Sequence, residues 1–398
     1  MEHVWFTAAF WLGLAVIAGL LAVWLKVSVA LVEIIVGTVA QFVMGLAGKA
    51  EVFDVHAPWI TFVAGAGAIM LTFLAGAELD PDAFRNGWKQ ATWIGLVGFA
   101  APFLLAAAAA HWILGWDARA AWLGGVALST TSVAVVYAVM LDYGLNRTPF
   151  GKAILAACFV NDLGTVIALG LLFAPFTMRT VGFLVGMVVV VPLLALWVGP
   201  FIRRFGGRPS ELETKLLLFA LFLLGGLAAW AGSEAVLAAY VVGMVLAGSV
   251  GRNHELVRRL RTLTIGLLTP FYFIRAGLLV LLPAVAAGFG AFATLFFAKV
   301  ASKYAGLLPL TRKVGYEPGE AQYFTLLMST GLTFGSISAL YGLTHHIVTQ
   351  GQYSLLVAAV IASAVLPTWV ANRFFLPYHH LPKDEGAEEA AAFATEDE

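Results

Sequence analysis

Long apolar stretches separated by short polar segments recur along the whole chain. Each stretch is close to the roughly 20 residues that an α-helix needs to cross the hydrocarbon core of a bilayer. The strict alternation of apolar and polar positions that marks membrane β-strands is absent. The pattern therefore predicts an all-α membrane protein with thirteen transmembrane helices, near residues 4–25, 28–47, 57–76, 91–113, 120–141, 152–174, 181–202, 213–231, 234–250, 263–282, 284–308, 321–343 and 352–376.

Basic residues in the loops between these helices predict the orientation of the chain. With the N-terminus outside, seventeen of the 23 Lys and Arg residues fall in inside loops and three in outside loops. This asymmetry predicts an integral membrane protein with the N-terminus outside and the C-terminus in the cytoplasm. We expect the membrane to be a bacterial cytoplasmic membrane. Residues 1–382 form one predicted transport domain, and residues 383–398 are a short acidic tail. We expect no soluble regulatory domain.

Composition narrows the class of protein further. Charged residues make up 12% of the chain, against roughly 25% in a soluble domain, so a soluble enzyme is excluded. The 23 basic residues only balance the 23 acidic ones, which leaves no positive excess for nucleic acid. A single cysteine, Cys158, excludes a disulfide framework. We expect the lipid bilayer as a partner, no nucleic acid and no cofactor.

Two clusters of small polar residues lie in mid-span, 200 positions apart. The first is Ser129-Thr130-Thr131-Ser132 in the fifth helix, and the second is Ser329-Thr330-Gly331 in the twelfth. Helices five and twelve cross the membrane in opposite directions. This predicts an inverted repeat of six plus six helices around a linking helix at 181–202, with two crossed discontinuous helices. The alternative is that these small residues merely let helices pack closely.

Ionisable residues inside a bilayer are costly and usually mark a pathway. Asp162, beside Asn161, lies near the bilayer centre and cannot reach the interface. Without a partner its carboxyl group would stay protonated, because desolvation disfavours the charged form. A group that can be neutral or ionised at this depth suits exchange of a proton for a cation. The alternative is a structural acid whose hydrogen bonds come from neighbouring hydroxyls.

Other charged residues in or near the spans are each open to more than one interpretation. Glu234 could be an acid at a helix N-terminus, favoured by the helix dipole, or it could pair with Arg275. Lys299 and Arg275 are both deep, and each needs an anionic or carbonyl partner. Lys303 lies one turn further along and could extend its ammonium group to the inner interface. Glu33 could be a structural acid near the inner end of the second helix.

Seven sequence motifs follow one another along the chain. They are Glu33 within 32–37, the stretch 73–80, the stretch 128–144, Asn161-Asp162, the stretch 238–243, the stretch 270–273, and Lys299 within 298–300. In this order they resemble the monovalent cation:proton antiporters of the Kef/NapA type. The chain departs from that pattern at Asn161, where some relatives carry Asp or Gln, and at Arg275, where many relatives are apolar. We expect no Kef-type nucleotide-binding domain, which disfavours ligand-gated potassium efflux.

The resemblance implies a thirteen-helix, NhaA-like antiporter fold. It further implies a homodimer, in which an ion-binding core bundle (91–174 and 284–376) moves against a dimerisation bundle (4–76 and 213–282).

These observations predict a secondary transporter, not an enzyme, that exchanges a monovalent cation for H⁺ by alternating access. Na⁺ is favoured, with K⁺ or Li⁺ as alternatives. Asp162 binds either the proton or the cation, and one acid predicts a 1:1 exchange. The predicted oxygen ligands are Thr130, Thr131, Ser132 and Asn161, and the charge-balancing residues are Lys299, Arg275 and Glu234. The competing hypothesis is a cation channel or potassium efflux pathway without proton coupling. An intramembrane enzyme is a third hypothesis, but it would need a second deep acid or a nucleophile–base pair.

Overall fold

The computed structural model describes residues 2–25, 27–77, 81–145, 148–173, 177–232 and 235–380. Every regular element within these ranges is helical, which confirms the predicted all-α class. The first half contains α1 (Glu2–Leu25), α2 (Val29–Leu46), α3 (Pro58–Ala77), α4 (Pro81–Ala108), α5 (Ala118–Ser129), α6 (Val133–Asp142), α7 (Pro149–Leu172) and α8 (Met178–Phe205). The second half contains α9 (Leu212–Trp230), α10 (Ala235–Leu246), α11 (His254–Leu263), α12 (Thr269–Leu278), α13 (Leu282–Ala287), α14 (Phe289–Val314), α15 (Pro318–Met328), α16 (Thr333–Thr344) and α17 (Gln350–Phe374).

Eleven helical segments in the described ranges are long and apolar enough to cross a membrane, with α5–α6 and α15–α16 each counted as one. The protein is therefore an integral membrane protein with many spans. The predicted ninth and tenth spans coincide with two less regular runs of helix. α10 continues into a π-helical turn at Ala247–Gly251, and another π-helical turn at Thr264–Leu268 joins the charged α11 to the apolar α12. The count of thirteen stays a prediction.

The helices that surround the two interruptions begin at well-defined caps. The side chain of Asp117 accepts hydrogen bonds from two amides of the first turn of α5. Thr148 caps α7, and Pro149 follows at the first helical position, where its missing N–H costs nothing. Reciprocal capping boxes begin both α15, at Glu317, and α17, at Thr349. These caps fix where each of these four helices starts.

Glycines allow close backbone contact in the group of helices formed by α1–α3 and α8–α12. A β-carbon at Gly243 of α10 would lie 2.2 Å from the carbonyl oxygen of Phe73, and one at Gly76 of α3 would lie 2.5 Å from that of Tyr240. The pair α2–α12 packs in the same way. Small residues commonly bring membrane helices this close, because lipid gives no hydrophobic drive for their association.

A second group of helices surrounds the two interrupted segments. α4 packs against α5, α7 and α14, while α16 packs against α5 and α17. α15 lies between α14 and α17. The interruptions therefore lie inside the bundle, enclosed by α7 on one side and α14 on another.

Candidate ion-binding site at the two helix breaks

Two helices are interrupted in mid-span, and the interruptions lie against each other. Residues 130–132 separate α5 from α6, and residues 329–332 separate α15 from α16. Thr130 is extended, with φ −63° and ψ 149°. The amide of Ser132 donates to the carbonyl of Thr330 at 3.0 Å, and the Thr131 hydroxyl donates to the carbonyl of Met328 at 2.7 Å. Both breaks coincide with the polar clusters that the sequence singled out.

Gly331 permits the close approach of the second break to its surroundings. A β-carbon there would lie 2.1 Å from Nζ of Lys299 and 2.7 Å from Oγ1 of Thr130. These separations are far inside van der Waals contact, so a larger residue would displace one of the two partners. The position therefore favours glycine, because any side chain there would displace Lys299 or Thr130.

Hydroxyl groups at the breaks mostly bond to carbonyls of their own helices. Thr130 Oγ1 donates to the carbonyl of Ala127, Ser329 Oγ to that of Thr325, and Thr330 Oγ1 to that of Leu327. Ser132 Oγ accepts from the amide of Val135 and lies 3.5 Å from Oγ1 of Thr333. Such bonds satisfy backbone groups that the breaks release. Each hydroxyl keeps at least one oxygen lone pair for a further partner.

Asn161 and Asp162 of α7 face the first break. Asn161 Oδ1 accepts from the amide of Thr131 at 2.8 Å, and its Nδ2 donates to the carbonyl of Ser129 at 3.3 Å. Asp162 is 1% exposed. Its Oδ1 is buried and has no hydrogen-bond partner among the residues that the structure describes. A buried carboxylate oxygen without a protein donor requires a proton, a cation or a water molecule.

Two lysines of α14 reach the first break from the opposite side. Lys299 donates from Nζ to the carbonyl of Thr130 at 3.0 Å, and Lys303 donates from Nζ to Oγ1 of Thr131 at 2.9 Å. Both side chains are fully buried. The carbonyl partner expected for Lys299 is therefore present. The ammonium group of Lys299 also lies beside the C-terminal end of α5, where positive charge is favoured.

The expectation that Lys303 extends to the inner interface is wrong. Residues four apart share one face of a helix, and the face of α14 that carries Lys299 is turned into the bundle. Lys303 therefore shares the buried environment of Lys299 and finds a hydroxyl partner there. The four-residue spacing from Lys299 was the sequence signal that could have indicated this position. Both lysines interact electrostatically with Asp162.

A cavity of about 680 Å³ leads from Asp162 to the surface. Val133 and Thr333 line it, and they are the first residues of α6 and α16. The N-terminal ends of helices carry positive partial charge. Two such helix ends therefore place positive partial charge at the cavity that holds the Asp162 carboxyl group. The cavity reaches the end of the molecule where basic loops cluster, and the exposed residues Lys152, His254 and Arg261 line it there.

Arg275 does not form part of this arrangement. Arg275 lies on α12 and is 6% exposed, and its Nε donates to the carbonyl of Val55 at 2.9 Å. Its partner is thus a carbonyl, one of the two alternatives expected. Glu234 lies outside the described residues, so the Glu234–Arg275 pair stays a prediction. Glu33 is 3% exposed on α2.

Comparisons with known proteins agree with this architecture. The family model described as "Sodium/hydrogen exchanger, transmembrane" matches residues 12–373. The Na(+)/H(+) antiporter NhaS4 of Synechocystis is 26% identical over 299 residues, which cover 69% of this chain and 72% of that protein. Cation/H(+) antiporter 17 of Arabidopsis thaliana is 32% identical over 235 residues, which cover 54% of this chain and 28% of that protein. The chain thus spans less than a third of the length of this plant relative.

A solved structure shows the same fold. The sodium proton antiporter MjNhaP1 from Methanocaldococcus jannaschii, determined at pH 8, superimposes with a TM-score of 0.71. The match covers 95% of this chain and 98% of the antiporter, at 15% sequence identity. With the family model matching nearly the whole chain, the protein belongs to the family of transmembrane sodium/hydrogen exchangers.

Proposed function

We propose that this protein exchanges Na⁺ for H⁺ across a bacterial cytoplasmic membrane by alternating access, with Asp162 as the shared binding group. The observation that carries the proposal is the buried Oδ1 of Asp162, which lacks a donor from the described residues at the inner end of an open cavity. One carboxyl group cannot hold a proton and a cation at once. Competition at this atom therefore couples the two fluxes. No catalytic residue and no cofactor enter the proposal.

Oxygen atoms near Asp162 provide the remaining ligands for an alkali cation in this proposal. Thr130, Thr131, Ser132 and Asn161 contribute side-chain oxygens, and the interrupted helices contribute carbonyls, as in other transporters with broken helices. Asn161 Oδ1 and Thr131 Oγ1 already hold the first break together. In the proposal these two oxygens bind the cation through lone pairs that the present hydrogen bonds leave free, or they bind it after a movement of the helix breaks has released those hydrogen bonds. Na⁺ is favoured, and K⁺ and Li⁺ are the alternatives that the assay must compare.

The surrounding charges support a site in which the carboxyl group of Asp162 alternates between its ionised and its neutral form. The N-terminal ends of α6 and α16 stabilise the ionised carboxyl group when it has lost its proton. Lys299, bound to the Thr130 carbonyl, balances the charge of the empty site. In this proposal Arg275 and Glu234 are further charge-balancing groups in the dimerisation bundle. Ser329, Thr330 and Gly331 keep the second break close to the first.

Alternating access follows if the bundle of 91–174 and 284–376 moves against that of 4–76 and 213–282, with 181–202 as the linker. Contacts of α17 with α12 and with the turn that follows α12 support an inward-open arrangement. The Tyr353 hydroxyl donates to the carbonyl of Ala276 at 2.6 Å, and Ser354 Oγ accepts from the amide of Leu281 at 2.9 Å. These bonds join the two bundles at the end opposite the cavity mouth. In the proposal the N-terminus is outside, the C-terminus is cytoplasmic, and two copies form a homodimer.

Asp162 is the one acid among the described residues that line the cavity, and a single acid at the site supports a 1:1, electroneutral exchange. Asn161 cannot supply a second exchangeable proton. Lys299 is the competing group, because desolvation favours a neutral amine. A voltage imposed across liposomes distinguishes these possibilities, since electroneutral exchange does not respond to it.

The test compares Asp162→Asn with the wild-type protein in proteoliposomes. Wild-type protein should move protons against their gradient when a Na⁺ gradient is imposed, which a channel cannot do. Asp162→Asn should reduce this flux to the level of protein-free liposomes. The matched control is Asp117→Asn, because asparagine also caps a helix well and should keep wild-type flux. Wild-type exchange by the Asp162→Asn protein would refute the assigned role.

A further inference from the structure

A compact group of three metal-ligating side chains lies away from the ion-binding site. His379 and His380 belong to the 3-10 turn Tyr378–His380 that follows α17, and Glu320 lies in the first turn of α15. Nε2 of His379 is 2.7 Å from Oε1 of Glu320, and Nε2 of His380 is 2.6 Å from the same oxygen. Two imidazoles from one end of the chain thus converge on a single carboxylate oxygen.

The carboxylate of Glu320 is held in place by its own helix. Its Oε2 accepts from the backbone amide of Glu317 at 2.9 Å, as the second half of the capping box. The residue is 8% exposed. One oxygen is therefore committed to the helix start, and the other is turned toward the two histidines. The carboxylate does not need to reorganise to meet a third partner.

The ring of His380 is oriented by packing. It stacks on Phe150 of α7 with ring centroids 4.8 Å apart and planes 6° apart. His379 is different, since its side chain is 56% exposed. One imidazole is therefore anchored against the helix that carries Asp162, and the other borders solvent. An open position on the solvent side suits a water molecule as a further ligand.

The donor set favours a borderline divalent transition metal ion. Two imidazoles and a carboxylate are typical ligands of Zn²⁺, whereas the alkali cations bind oxygen. The three ligand atoms all lie within 4.8 Å of one another. In a tetrahedral zinc site, bonds of about 2.0–2.1 Å place ligand atoms about 3.3 Å apart. A zinc ion therefore fits if each nitrogen moves back by roughly 0.6 Å.

We propose that Glu320, His379 and His380 form a binding site for Zn²⁺ or a chemically similar divalent ion, with water completing the coordination. In the bound form each neutral imidazole carries its proton on Nδ1 and directs the lone pair of Nε2 at the metal. The ion joins the segment after α17 to the start of α15. It stabilises the folded protein and does not take part in cation–proton exchange, because Asp162 belongs to a separate cavity.

Calorimetric titration of the purified protein with ZnCl₂ tests this site. The protein is prepared in detergent with an affinity tag that contains no histidine. Wild-type protein should bind one Zn²⁺ per protomer, and Zn²⁺ should raise its Tm. His379→Ala with His380→Ala should abolish binding. Glu320→Gln should weaken binding at least tenfold, because glutamine still forms a capping box but offers no charge.

The chain offers a matched control in a second pair of adjacent histidines. His345 and His346 are exposed after α16, and His345 bonds to the carbonyl of Tyr341. His345→Ala with His346→Ala should leave Zn²⁺ binding unchanged. The Tm of each variant without Zn²⁺ reports whether it is folded, and the exposed His379 allows His379→Ala to serve alone if the double variant is unstable. No zinc binding by the wild type, or equal binding by all variants, would overturn the proposal.

Discussion

Replacing Gly331 by alanine perturbs the contact between the second helix break and Lys299. The new β-carbon would lie 2.1 Å from Lys299 Nζ, whereas an ordinary contact needs about 3.5 Å. The ammonium group must then withdraw by roughly 1.4 Å, and its 3.0 Å hydrogen bond to the Thr130 carbonyl is lost. A hydrogen bond to a charged group contributes about 1.5–3 kcal/mol, and an overpacked core costs about 1–3 kcal/mol. We expect a destabilisation of roughly 2.5–6 kcal/mol.

Two measurements follow this substitution. Thermal unfolding in detergent should show a lower Tm for Gly331→Ala, and proteoliposomes should show reduced Na⁺-driven proton flux. The control is Gly290→Ala near the start of α14, where an added β-carbon meets nothing within 4 Å. That variant should keep the Tm and flux of the wild type.

A double-mutant cycle isolates the cause. In a Lys299→Ala protein the ammonium group is already absent, so adding Gly331→Ala should lower the Tm much less than it does in the wild type. If Gly331→Ala lowers the Tm by the same amount in the wild type and in the Lys299→Ala protein, the contact with Lys299 is not the reason that this position favours glycine. That result would refute the reasoning.

Two further substitutions test other buried polar contacts, one at the first helix break and one beside Glu213. Lys303→Met should lower the Tm because it removes a buried donor, whereas Lys313→Met on the exposed end of the same helix should not; equal results would mean that Lys303 extends to the interface after all. Arg259→Gln should lower the Tm because the carboxylate of Glu213, with 3% of its side chain exposed, loses its cationic partner. Arg259 also holds the pKa of Glu255 below its ordinary value through a hydrogen bond. This contact therefore stabilises the folded protein at pH values above the ordinary pKa of glutamate. The stabilisation is lost as the pH falls through the lowered pKa of Glu255. The Tm difference between wild type and Arg259→Gln should therefore shrink on acidification, and a difference that grows would contradict the assignment.

Local patterns in the sequence determined much of this fold. The spans follow from the length of apolar runs, because a bilayer imposes a nearly constant thickness on every crossing helix. The two breaks follow from Ser129–Ser132 and Ser329–Gly331, because hydroxyls and glycine tolerate interrupted helix at that depth. Asp162 stands out because an acid in mid-membrane is costly unless it is used. Each of these signals can be read within one stretch of chain.

The tertiary structure decided which side chains meet. The burial of Lys303 depends on which face α14 turns toward α4 and α15. Asn161 is committed to the Thr131 amide through a contact between separate helices. Glu320 meets His380 across 60 positions of sequence. Such contacts depend on how whole helices pack against one another, and apolar runs in lipid carry little information about packing partners, because lipid and helix surfaces are equally apolar.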